Sequence, residues 1–228
     1  MDNSVIIDVK DVNRIYKTGS DEFYALKDVS LNIPRGQLTI LRGRSGSGKT
    51  TLINMLGALD RPTSGSVLFE DNDLTKMNDI ARDEFRKHKV GFVFQSVALI
   101  STMTAYENVE FSLRLARTPR SEQNKRVTEC LSMVGLEHRM NHRTQELSGG
   151  EQQRVAIARA IAHKPSIVFA DEPTAELDTN TGLQVVRLFK EIISGQGTTI
   201  VMTTHDPNMM EIGDKVIMLE DGVVVPVE

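Results

Sequence analysis

Residues Gly43-Arg44-Ser45-Gly46-Ser47-Gly48-Lys49-Thr50 follow the apolar run Leu38-Thr39-Ile40-Leu41 and precede an amphipathic stretch over residues 51–59. The order is strand, glycine-rich loop, helix, and the spacing is G-x-x-x-x-G-K-[ST]. Glycines without a Cβ let the backbone close around a phosphate and turn successive N–H groups inward. The helix that follows adds the partial positive charge of its N-terminus at the same place. In this pattern Gly43, Arg44, Ser45, Gly46, Ser47, Gly48, Lys49, Thr50 and Thr51 surround the phosphates. The Lys49 ammonium reaches the β- and γ-phosphates, and the Thr50 hydroxyl ligates Mg2+. A flexible Gly/Ser loop would share the composition but not the strand and helix on either side.

Bulk properties narrow the remaining choices. A chain of 228 residues with 39% hydrophobic content suits one large α/β domain, or a core with an inserted subdomain. Its 27 basic and 31 acidic residues give a net charge of −4, so no nucleic-acid partner is expected. The one cysteine, Cys130, excludes an intrachain disulfide and a cysteine-based metal site, and reads as a small buried residue on a helix. No window approaches the roughly 20 apolar residues of a membrane-spanning helix. The start, Met1-Asp2-Asn3-Ser4, lacks the basic and apolar regions of a signal peptide, so a cytoplasmic location is expected.

Short apolar runs place the strands. Val5-Ile6-Ile7-Asp8-Val9 opens the chain, and Lys27-Asp28-Val29-Ser30-Leu31-Asn32-Ile33 alternates with period two, as a half-buried antiparallel strand does. Val67-Leu68-Phe69 is a further short run. Val90-Gly91-Phe92-Val93-Phe94, Ile167-Val168-Phe169-Ala170 and Thr199-Ile200-Val201-Met202 are continuous, which suits parallel strands buried on both faces. Asp221-Gly222 between two apolar runs predicts a hairpin. Leu52, Met55, Leu56 and Leu59 form one helical stripe after the glycine-rich loop. Residues 104–147 carry only helical patterning, with Val127, Cys130, Leu131 and Val134 in a stripe that Gly135 would end. His88, His138, His142 and His163 have no metal-ligand spacing and read as surface residues.

A second group of residues carries chemistry. The run Ile167-Val168-Phe169-Ala170 ends in Asp171 and Glu172. Beside a phosphate loop, Asp171 can hold Mg2+ and Glu172 can polarise a water for attack on the γ-phosphate; alone, the pair would be two exposed acids at a strand end. Leu147-Ser148-Gly149-Gly150-Glu151-Gln152-Gln153-Arg154 leads into a helix expected over residues 155–163. Glycines at a helix start again expose N–H groups to an anion, and Ser148 adds a hydroxyl. That makes two phosphate cradles in one chain. Both ends of one nucleotide are met only if the chain folds back or a second copy supplies the other cradle.

Together these residues resemble the ATP-binding subunit of ABC transporters, over essentially the whole chain. Leu147-Ser148-Gly149-Gly150-Glu151 is similar to the family's signature loop. Tyr16 resembles the aromatic that stacks on adenine. Gln95, closing Phe92-Val93-Phe94-Gln95, resembles the glutamine that touches Mg2+ and the attacking water. Ala175-Glu176-Leu177-Asp178 resembles the D-loop, and His205, after Thr203-Thr204, resembles the switch histidine at the γ-phosphate. Leu59-Asp60-Arg61-Pro62-Thr63-Ser64-Gly65 and Thr104-Ala105-Tyr106-Glu107-Asn108-Val109 resemble the lipoprotein-release and macrolide-export subclass. The chain departs from it at Ala175-Glu176, where the subclass has Gly-Asn, and in lacking a proline within residues 142–146.

The resemblance implies a phosphate-loop α/β core with an N-terminal antiparallel β-subdomain and an inserted helical subdomain. Residues 1–95 and 161–228 would form the first two, and residues 96–160 the helical part with the signature loop. The implied cofactors are ATP and Mg2+, with Thr50, Gln95 and Asp171 toward the metal. Glu172, His205, Gln95 and Lys49 are the implied catalytic set. Tyr16, residues 43–51, Gln95, Ser148, Gly149, Gly150, Glu151 and Asp178 are the implied nucleotide contacts. Two copies would pair head to tail around ATP, held at the inner face of the cell membrane by integral-membrane permease subunits. The same residues would serve an ATPase that signals to a cell-wall or envelope complex without moving a substrate.

Overall fold

The computed structural model describes residues 4–19, 21–206, 209 and 211–226. The chain divides into two compact units, Met1–Arg86 with Thr199–Glu228, and Lys87–Thr198.

In the first unit β1 (Val5–Thr18) and β2 (Asp21–Pro34) are antiparallel. With β4 (Ser64–Phe69) and β5 (Asn72–Asp73) they form a sheet in the order β2-β1-β4-β5. Both long strands extend well beyond their apolar runs. The ladder shifts register between Val9 and Val12, near Asp11 (φ 49°) and Asp28 (φ 48°). There Asn13 replaces the lost bonds, donating to the Asp11 carbonyl and the Asp28 carboxylate and accepting from the Asp28 N–H at 3.0 Å. Such bulges add twist and bend the ribbon. Ile7, Val12, Leu26, Val29, Ile33 and Phe69 are wholly buried on its inner face.

The same unit holds β3 (Leu38–Arg42), parallel to both β8 (Thr199–Thr204) and β9 (Lys215–Glu220). β9 returns antiparallel into β10 (Val223–Val225) through Asp221 (φ 45°) and Gly222 (φ 79°). Positive φ at both central residues is the hairpin geometry that Asp-Gly favours. α1 spans Lys49–Leu56. It stops three residues short of the expected stripe: Gly57 follows, Ala58 is left-handed (φ 58°), and the N–H groups of Leu59 and Asp60 both turn back to the Asn54 carbonyl. Leu59 is therefore exposed, not a fourth core residue. α2 (Asp79–Lys89) was not legible in the sequence. It buries only Arg82 and Phe85; Phe85 meets Phe69 edge to face at 4.8 Å, and Arg82 and Arg86 donate to the Ala58 carbonyl.

In the second unit β6 (Val90–Val93) lies parallel to β7 (Ile167–Ala170). α3 (Ala105–Leu115), α4 (Arg120–Met133) and α5 (Gly149–Ile161) pack on one another, and α6 (Thr179–Gln196) follows β7. Thr104 and Glu107 cap α3 reciprocally. α4 ends as expected at Gly135 (φ 71°), with the Leu136 and Gly135 N–H groups bonded to the Leu131 and Ser132 carbonyls. Val127, Cys130 and Leu131 are wholly buried, and burial pushes the Cys130 thiol up to about 11. One reading is corrected. His163 is half-buried; its Nε2 lies 3.0 Å from the Val90 carbonyl, its Nδ1 is buried with no hydrogen-bond partner among the described residues, and desolvation lowers its pKa to about 4. Its place at the end of α5, turned toward β6, explains the difference.

Candidate functional site

The glycine-rich loop joins β3 to α1. Gly48, the N-cap of α1, is left-handed (φ 99°), and no side chain caps the helix. The N-terminus of α1 therefore faces the loop, where the helix dipole favours an anion. A Cβ on Gly43 would overlap the Leu219 carbonyl oxygen, and one on Gly48 would stand 2.5 Å from the Ala25 carbonyl oxygen. Both positions admit only glycine. Lys49 is buried, and its ammonium donates to the Gly43 and Arg44 carbonyls at 2.8 and 2.9 Å, curled over the loop. Arg44, Ser45, Gly46 and Thr50 are exposed on the loop, and Thr51 is half-buried. The Ser47 hydroxyl is buried with no hydrogen-bond partner among the described residues. A buried orphan hydroxyl, a helix start with no side-chain cap and an inward lysine are what a phosphate chain would satisfy, so the residues fit the expected nucleotide.

The register of the parallel strands brings two sequence-distant elements together. Arg42 on β3 pairs with Thr204 on β8, so Gly43 and His205 leave neighbouring strands at the same carboxyl end. His205 is exposed there. Ligands in open parallel sheets sit beyond that end of the strands. Tyr16 lies on β1, with its hydroxyl 3.2 Å from Asp60 and the Arg14 guanidinium 4.4 Å over its ring. Arg14 also bonds Asp60 at 2.9 Å. This cluster fixes the ring and covers one of its faces. Arg14 and Asp60 were not foreseen, because the cation and the acid lie 46 residues apart.

In the second unit the same logic repeats. Val93 on β6 pairs with Ala170 on β7, and the Asp171 N–H donates to the Val93 carbonyl at 2.9 Å. Gln95, Asp171 and Glu172 therefore emerge at one end of two parallel neighbours. Gln95 is exposed, and both acids are half-exposed. Glu172 is left-handed (φ 45°), a strained conformation for a non-glycine residue. Beyond Gln95, Val97 and Ala98 are also left-handed (φ 60° and 48°), and Arg159 from α5 holds both of their carbonyls. Arg159 was not singled out in the sequence, because the carbonyls it holds lie 61 and 62 residues away.

The signature residues form the start of α5, six residues earlier than the expected helix. Ser148 is the N-cap: its hydroxyl accepts from the Glu151 N–H at 3.3 Å while the Glu151 carboxylate accepts from the Ser148 N–H at 2.8 Å. The Ser148 N–H, then the Ser148 hydroxyl and Arg139, hold the Glu151 carboxyl below its ordinary pKa against the cost of burial. A Cβ on Gly149 would meet nothing, whereas one on Gly150 would lie 3.1 Å from Thr181 Cγ2. Asp178 caps α6 by accepting from the Asn180 and Thr181 N–H groups. Its bonds to Thr181 hold its own pKa low. Gln152 donates to the Thr144 and Leu147 carbonyls, tying down the turn before Ser148.

Comparison with known proteins gives consistent likenesses. The family described as ABC transporter matches residues 26–175. An uncharacterized ABC transporter ATP-binding protein of Methanocaldococcus jannaschii, MJ0796, is 45% identical over 224 residues, covering 96% of this chain and 95% of that protein. Its dimeric structure in a post-hydrolysis state, bound to ADP and Pi, superposes with a TM-score of 0.90 at 43% identity over 97% of each chain. The lipoprotein-releasing system ATP-binding protein LolD of Geobacter metallireducens is 41% identical over 97% of this chain and 99% of its own. The macrolide export ATP-binding/permease protein MacB of Syntrophobacter fumaroxidans is also 41% identical over 97% of this chain, which spans 31% of that longer protein.

Proposed function

This chain belongs to the ABC transporter family as an ATP-binding, ATP-hydrolysing subunit, and we propose that it powers an exporter or extractor of the lipoprotein-release or macrolide type by ATP-driven head-to-tail closure of two copies. The observation that carries the nucleotide assignment is the uncapped, left-handed start of α1 at Gly48, with Lys49 folded over the loop. The subclass is supported by the likeness to LolD and MacB.

In this reading residues 43–51 bind the phosphates and Tyr16 stacks on adenine. Lys49 and the loop amides stabilise charge on the γ-phosphoryl as it transfers, and His205 donates to the same group. Magnesium, held through Thr50, Gln95 and Asp171, would neutralise charge between the β- and γ-phosphates. Glu172 takes the proton of the attacking water, and Gln95 orients that water. Ser148, Gly149 and Gly150 of a second copy close over the γ-phosphate, with Glu151 and Asp178 fixing that loop and its neighbour. ATP thereby bridges two copies; hydrolysis and phosphate release remove the bridge. A ligand with differential affinity for the closed pair shifts the population toward it.

The helical part, residues 96–160, acts in this scheme as the lever. Phe94, Phe111 and Leu115 are exposed around a groove that Phe92, Ile100 and Arg159 also line. We assign that groove to a permease segment, with the cassette on the cytoplasmic face of the membrane. Among the described residues no helix is long and apolar enough to cross a membrane.

The test uses Glu172→Gln. The amide cannot accept the water's proton, and it removes one negative charge near the γ-phosphate. ATP should still bind, turnover should nearly vanish, and sedimentation should show a dimer with ATP but not with ADP. Near wild-type turnover removes Glu172 from its role. Loss of turnover with no ATP-dependent dimer contradicts the closure.

A further inference from the structure

In the Ser148 loop a negative charge stands where a phosphate is to be received. The Glu151 carboxylate caps the Ser148 amide at 2.8 Å. A carboxylate at a helix N-terminus favours the helix. The same charge repels a second anion at that terminus, and more strongly once solvent is excluded. A neutral amide side chain at position 151 would accept the same hydrogen bond without that cost.

The carboxylate does not stand alone. Arg139, on the short 3-10 turn Glu137–Arg139, places its Nε 3.2 Å from the other Glu151 oxygen. The guanidinium also lies 3.2 Å from His142 Nε2 through Nη1, which fixes its direction. The Glu151 side chain is 18% exposed and that of Arg139 40%, so water screens the pair in part. One helix end thus carries an acid that shapes it and a cation, brought from 12 residues away, that offsets the acid.

We propose that Arg139 is a positioning residue for the ATPase reaction: it holds the Glu151 carboxylate on the Ser148 amide and compensates its charge, so that the start of α5 accepts the γ-phosphate of the nucleotide on the other copy. This inference rests on the reading that the Ser148 loop acts in trans.

The test is a double-mutant comparison on the full chain. Turnover, and ATP-dependent dimerisation in the Glu172→Gln chain, are measured for Arg139→Ala and Arg139→Lys, with Glu151 present and in the Glu151→Gln background. With Glu151 present, Arg139→Ala should lower both readouts about five- to tenfold, within the coupling range for contacting charged groups. ATP binding to the separate copy, through its own residues 43–51, should change less than about twofold, because Arg139 is remote from that loop in sequence and acts on the partner's nucleotide. Arg139→Lys should keep most of the function, since the charge survives. In the Glu151→Gln background, Arg139→Ala should cost less than about twofold, because no carboxylate remains to offset. An equal loss in both backgrounds would overturn the proposal, as Arg139 would then merely brace the turn. So would no loss at all with Glu151 present. Ser148→Arg separates the two levels: if it abolishes turnover while Arg139→Ala does nothing, this inference alone fails; if Ser148→Arg turns over normally, the trans reading falls and this inference with it.

Discussion

Lys49 and Tyr16 show how far single residues carry the account. Lys49 is buried and bonded to two loop carbonyls, so its charge is already desolvated where a phosphate would arrive. Lys49→Ala should weaken ATP binding by about 2–3 kcal/mol, the scale of hydrogen bonds to charged groups, as read by calorimetry. Unchanged affinity with an intact fold would remove the loop from its role. Tyr16→Ala should cost roughly 1–3 kcal/mol of ATP affinity, the range for base stacking on an aromatic ring. Tyr16→Phe should cost much less, since the ring face remains and only the bond from its hydroxyl to Asp60 is lost. A Phe variant as weak as the Ala variant would mean that the hydroxyl, and not the ring, matters.

At the scale of elements, the sequence was legible wherever local chemistry dictates geometry. Asp221-Gly222 demanded a hairpin, the apolar runs demanded buried parallel strands, and Gly135 demanded a helix end. It was illegible where a helix is held by its polar side chains. α2 buries one aromatic ring and an arginine, so it has no apolar stripe to read. β1 and β2 outran their apolar runs because Asn13 repairs a bulge that alternation cannot reveal. Among the candidate site residues, those in contiguous motifs could be proposed from the sequence, while Arg14, Asp60, Arg139 and Arg159, which hold their surroundings, come from other elements. His163 was misread because its neighbour, Val90, is 73 residues away. Two measurements address this scale. Thr104→Ala should cost about 1 kcal/mol in urea unfolding by removing the α3 cap. His163, with a folded pKa of about 4 against an ordinary 6.5, takes up its proton in the unfolded chain first. Its contribution is complete above pH 6.5 and is lost as pH falls toward 4, by up to about 3 kcal/mol. Replacing His163 with Phe should flatten the stability curve in that window; an unchanged slope would contradict the burial of this ring.

For the whole molecule, two loops read as phosphate cradles set the problem that the proposed dimer answers. The loop of residues 43–51 lies in one compact unit and the Ser148 loop in the other. In the proposed pairing they grip, from two sides, the phosphates of a nucleotide shared by two copies. The most direct measurement mixes two variants that are each inactive, Lys49→Ala and Ser148→Arg. In a mixed pair one composite site carries both lesions and the other carries neither, because the intact Lys49 and the intact Ser148 come from different copies. ATPase activity should return on mixing, toward one working site in each mixed pair. If mixed pairs form, as judged by co-purification through two different tags, and no activity returns, the shared-site account is contradicted.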